Sequence, residues 1–140
     1  MSTVLWANLL VGAEVRTEQA DRFALYKFGT KLEAMSKALG LTSFVGTWDH
    51  TDLRFNIEEL ELPPGATSTN DVMAKQGVWI ETNEAVRLLK GLKDRIISEN
   101  VRFGLLKNHS AELLEELTGV LTFISSQGSI PCKFNFCVVS

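Results

Sequence analysis

Apolar and polar positions along the 140-residue chain change period from segment to segment, and the changes outline the elements. Residues 3–11 are rich in Val, Leu and Trp on both alternating faces, the pattern of a strand buried on two sides. Gly12-Ala13 then reads as a turn. Over residues 17–39 the period lengthens: Leu25, Phe28, Leu32, Met35 and Leu39 recur every three or four positions, which predicts one helix. Thr17 is its expected cap, Glu18 and Asp21 suit its positive end, and Gly40 suits its stop. A glycine inside a helix costs about 1 kcal/mol relative to alanine, so Gly29 points to close packing there against a sheet.

Residues 41–45 read as a short extended piece. Residues 51–57, TDLRFNI, alternate more cleanly: Thr51, Leu53, Phe55 and Ile57 share one face, and His50, Asp52, Arg54 and Asn56 the other. That period of two predicts a half-buried strand. The stretch EELELPPGATSTND, residues 58–71, breaks regular structure with adjacent prolines and a glycine. A connection of that length is uncommon in a small domain and often functional.

Asn70 or Asp71 is the expected cap of a short helix through Lys75, ended by Gly77, and Val78-Trp79-Ile80 looks extended. Thr82 or Asn83 caps a stronger helix whose inner stripe is Ala85, Leu88, Leu89, Leu92 and Ile96. Residues 101–106 are apolar without a clear period. Ser110 caps a further helix with Leu113, Leu114, Leu117, Val120, Leu121 and Ile124 inward, stopped by Gly128. In the closing run KFNFCVV, Phe134, Phe136 and Val138 alternate with Lys133, Asn135 and Cys137. The order of elements implies a single-domain α+β layer sandwich over residues 1–140. About three main helices pack on a mixed or antiparallel sheet that includes both chain termini.

Composition narrows the function classes. With 45% hydrophobic and 22% charged residues the chain resembles ordinary globular domains. The net charge of −3 argues against nucleic acid, whose binding depends on Lys and Arg at phosphates. The acidic excess falls in residues 1–70, and the second half is balanced. The apolar start, VLWANLLVGA, has no preceding Lys or Arg and is shorter than the roughly 18 residues of a spanning helix, so a cytoplasmic protein without a membrane partner is expected. Cys132 and Cys137 lie five residues apart. On a strand that is roughly 16 Å, with the side chains on opposite faces, too far for a disulfide. Two reduced, space-filling thiols are expected.

Candidate chemistry concentrates at GTWDHTDLRF. On a strand His50, Asp52 and Arg54 would form a row, an acid–base pair beside a guanidinium, or simply a wet strand face. Metal binding would need further ligands, and His109 is the only other imidazole. Phosphate-binding glycine loops and the hydrolase nucleophile elbow are missing from the sequence. No metal and no cofactor are therefore expected, and an enzyme is the less favoured class. The stronger candidate is a binding surface: Glu58, Glu59 and Glu61 beside the long loop, closed by Asp71, with Trp79 as an aromatic anchor. The expected function is a non-enzymatic protein-binding module. Its type is that of the immunity proteins that neutralise bacterial toxins, and its partner would be a protein with a basic surface. The alternatives are a small enzyme or ligand binder built on His50 and Asp52, and a structural homo-oligomer subunit.

Overall fold

The computed structural model describes residues 2–127 and 132–140. The chain opens with an antiparallel hairpin, β1 (Val4–Val11) and β2 (Glu14–Arg22), joined through Gly12, whose φ of +63° suits a residue without a Cβ. Two short helices follow, α1 (Phe23–Lys27) and α2 (Gly29–Ala38), with a stop at Gly40, φ +68°. A 3-10 turn over Val45–Thr47 leads into β3 (Trp48–Asp49) and α3 (Thr51–Ile57). After the long loop come α4 (Thr69–Gln76), β4 (Ile80–Glu81), α5 (Thr82–Ser98), α6 (Ser110–Ser125) and β5 (Lys133–Val139).

The strands form one sheet in the order β2-β1-β5-β3, with β4 paired to β5. Pairing is antiparallel except at β3, which runs parallel to β5, so the sheet is mixed. The terminal strands β1 and β5 lie side by side at its centre, from Val4 opposite Val139 to Leu10 opposite Lys133. One face of this pair, carrying Leu5, Ala7, Leu9, Phe134, Phe136 and Val138, joins the core with α1, α2, α5 and α6. The α5 stripe is the one its spacing predicts, and Leu113, Leu117, Val120 and Ile124 are the buried residues of α6. Gly128, the expected stop of α6, lies outside the described residues. No helix among the described residues is long and apolar enough to cross a membrane.

Four expectations are corrected. Six helices, not about three, are present among the described residues. The single helix over 17–39 is instead the end of β2 followed by α1 and α2. The strand β2, EVRTEQADR, carries almost no apolar residues; on its inward face Arg22 pairs with Glu18 at 2.7 Å and Arg16 donates to Gln127 at 2.8 Å. Residues 41–45 enter the 3-10 turn rather than a strand. The strand over 51–57 is the helix α3, which buries none of its residues.

β5 is covered on both faces, not one. Asn135 and Cys137 are buried along with Phe134 and Phe136. Burial pushes the Cys137 thiol up to about 11, so it stays protonated, and both cysteines are free. On this second face Asn8 donates to Asn135 Oδ1 at 3.0 Å and accepts from the Thr17 hydroxyl at 2.6 Å. Asn135 in turn donates to the Val78 carbonyl at 2.9 Å. Met73 of α4 lies above, its sulfur 3.9 Å from Asn8 Nδ2.

Gly29 is packed as its position in a helix implies. A Cβ there would sit 2.6 Å from Trp48 Cη2 and 2.7 Å from Cζ2. A Gly29→Ala replacement gains helix propensity of about 1 kcal/mol but crowds a ring already stacked on Tyr26 at 5.2 Å between centroids. Overpacking of this kind typically costs about 1–3 kcal/mol. The variant should therefore unfold at lower urea than the parent; a higher midpoint would show that the ring moves away freely.

Candidate functional site

The loop that stands out in the sequence is positioned by Asp49. This carboxylate is buried at the end of β3, where Oδ1 accepts the Thr51 N–H at 2.9 Å and Oδ2 accepts the Val78 N–H at 2.8 Å. The first bond starts α3 and the second ties it to the approach of β4. Within α3, Asp52 accepts from Asn56 one turn later at 3.1 Å and from the Thr69 hydroxyl of α4 at 2.9 Å. An Asx turn followed by an i,i+4 bond favours helix over the strand that the alternation suggests.

This geometry separates the acid–base candidates. Residues two apart on a helix point about 200° apart, and Asp52 is engaged with Thr69 and Asn56. His50 is exposed at the start of α3 and shares a pocket of about 230 Å³ with Arg54, Trp48 and Val78, without Asp52. Among the described residues no group of three or more His, Cys, Asp or Glu is arranged to hold a metal ion. His109 contacts Glu112 at 3.1 Å and packs on the Phe28 ring at 5.4 Å.

Beyond α3 the chain is folded rather than trailing. Leu60 N–H returns to the Phe55 carbonyl at 3.2 Å, with Glu59 in the left-handed region at φ +49°. Ala66 N–H closes a turn on the Pro63 carbonyl at 3.1 Å, with Gly65 at φ +88°. Asp71 accepts both the N–H and the hydroxyl of Thr67, at 2.7 and 2.9 Å, and these bonds hold its carboxyl below the usual range. Its charge is spent on fixing the entry to α4. Trp79 is half-buried and its indole N–H donates to the Met73 carbonyl at 2.9 Å, linking the end of α4 to β4.

Glu58, Glu59 and Glu61 are exposed, and none takes part in an ion pair among the described residues. Between and beside them stand Ile57, 70% exposed, Leu60, 42%, and Leu62, 38%. These apolar positions escape a reading that looks for a buried face. Their signal is the alternation itself, I-E-E-L-E-L, on a segment with no core to cover. A second exposed apolar pair, Leu105 and Leu106, lies between α5 and α6 beside Arg102 and Lys107. There the cations are occupied: Arg102 donates to the Gly104 and Leu105 carbonyls, and Lys107 pairs with Glu112.

On the opposite side of α2, Glu33 fastens the turn before β3. Burial opposes its charge, but the Val45 N–H, the Ser43 hydroxyl and Lys37 outweigh it and keep the carboxyl below its ordinary value. Comparison with protein-family models, with curated proteins and with solved structures finds no match in any of the three.

Proposed function

We propose that this protein is a non-enzymatic protein-binding module whose contact surface is the loop after α3. The observation that carries this reading is the combination on residues 57–62: three exposed apolar side chains interleaved with three carboxylates that form no ion pair among the described residues. Apolar groups clustered at the surface mark interaction sites more often than chance exposure does, and unpaired charge of one sign selects a partner of the other. The fitting partner is a protein with an apolar patch rimmed by Lys and Arg. A toxin-inhibiting protein of the immunity type is one form such a module takes. The two free cysteines suit a reducing compartment such as the cytoplasm. Asp71 fixes the loop's exit through Thr67, and Trp79 is tied to α4 through the Met73 carbonyl.

The test uses a variant with Ile57, Leu60 and Leu62 all changed to Ser. Ile57 is 70% exposed and Leu60 and Leu62 are 42% and 38% exposed, all outside the core, so the circular dichroism spectrum should stay that of the parent, with at most a modest fall in melting temperature. A partner captured from the native lysate by the parent should be absent from the variant's capture. Capture of the same protein by both would remove these residues from the interface.

The homo-oligomer reading is favoured by one observation, the exposed Leu105–Leu106 pair, a second apolar patch on the same chain for the first to meet. In that case the purified protein alone would associate with rising concentration, and the Ser variant would not.

A further inference from the structure

A pocket of about 630 Å³ opens beside β3, lined by Phe23, Tyr26, Lys27, Thr30, Val45 and Trp48, with Ser2 and Thr3 at its edge. It is separate from the loop of residues 57–62 and shares only Trp48 with the pocket at His50. Its volume falls in the range of about 300–1,000 Å³ common to small-molecule sites. We propose that it binds a flat aromatic anion of one or two rings, such as an aromatic carboxylate or sulfonate.

Three features argue for that class. The walls are aromatic: Tyr26 and Trp48 stack at 5.2 Å with 26° between planes, and Phe23 is left 44% exposed at the pocket. Aromatic rings favour offset or edge contacts with other flat rings. Among the described residues the only charged one in the lining is Lys27, whose ammonium lies 5.9 Å from the Phe23 ring and 5.5 Å from the Phe28 ring and pairs with no described carboxylate. An anion is the ligand charge that matches it. Hydroxyl groups of Ser2, Thr3 and Thr30 add hydrogen-bonding capacity for its oxygens.

The walls are also held in place before any ligand arrives. Gly29 leaves the Trp48 ring no slack on one side, and Phe44 meets its edge at 5.9 Å on another. Glu33 pins the Val45 N–H and the Ser43 hydroxyl, which sets the lip formed by Val45. Sites preorganised in this way bind without a large ordering cost.

The test is a nuclear magnetic resonance titration of the full chain with naphthalene-2-sulfonate and, separately, with neutral 2-naphthol. Saturable shifts confined to the amides of residues 23–30 and 44–48 are expected with the sulfonate, and weaker binding with the naphthol. Lys27→Gln should weaken the sulfonate about fivefold, the size of a part-exposed ion pair, and leave the naphthol unchanged. Phe23→Ala, at a ring left 44% exposed and outside the core, should weaken both, with folding checked by circular dichroism. Absence of saturable shifts there would overturn the site. Equal affinity for the two probes, or equal loss of both in Lys27→Gln, would overturn the anionic class. None of these outcomes bears on the loop of residues 57–62, so this inference stands or falls apart from the protein-binding reading.

Discussion

Replacing Asn135 with Ala should lower the unfolding free energy by about 3 kcal/mol or more, among the largest effects of any single change away from the aliphatic core. The side chain is fully buried between β1 and the segment before β4. Its removal leaves the Asn8 amide without its Oδ1 acceptor and the Val78 carbonyl without its donor. Orphaning the fully buried Asn8 amide costs about 1–3 kcal/mol, the part-buried Val78 carbonyl adds less, and the vacated volume adds to the loss. A double-mutant cycle with Asn8→Ala isolates the direct bond. Because the two amides share one network, the effects should be non-additive by at least about 0.5 kcal/mol. Additive effects in urea unfolding would mean the two side chains act independently.

Asp49→Ala should be nearly as damaging, and its damage should reach the binding surface. The carboxylate holds the Thr51 and Val78 N–H groups at once, so its loss frees both the start of α3 and the strand beyond α4. Hydrogen bonds to a charged acceptor contribute about 1.5–3 kcal/mol each. A combined loss of about 3 kcal/mol would shift Tm by roughly 10 °C in a chain of this size. Asp49→Asn keeps one acceptor oxygen and should fall between the parent and the alanine variant. Thermal denaturation followed by circular dichroism orders the three. An alanine variant as stable as the parent would show that neither bond matters to the fold.

How much of this was legible in the sequence depends on where each element finds its partners. β1, α5 and α6 follow from local period, because each buries one continuous apolar stripe or run, and the turn follows from Gly12. β2 does not, since its inward residues are Arg16, Glu18 and Arg22, polar side chains that pair with each other or, for Arg16, with the distant Gln127. Glu, Gln, Ala and Arg there carry helix propensity that strand pairing with β1 overrides. The alternation over residues 51–57 misleads for the opposite reason. It arises on a helix whose Leu53 packs partly against the core while Ile57 faces solvent, and Asp49 decides its start from outside the segment.

The buried network of Asn8, Thr17, Val78 and Asn135 joins positions far apart in sequence, which no window of residues reveals. Of the candidate site, the carboxylates Glu58, Glu59 and Glu61 were visible as charge, and the long loop as composition. The apolar residues between them become part of the site only when their exposure is known. His50 and Asp52 looked paired because a strand would align them, and the helix turns them apart.

The central claim is that residues 57–62 form a charged docking surface for another protein. Its most direct test is the association rate of the Glu58→Lys, Glu59→Lys, Glu61→Lys variant with the captured partner, measured at low salt with folding checked by circular dichroism. Charge steering raises association rates and is screened as salt rises. The account predicts that the parent associates faster at low salt, and that the reversed variant associates at least about tenfold more slowly there. An unchanged association rate and affinity at low salt in the reversed variant would contradict it.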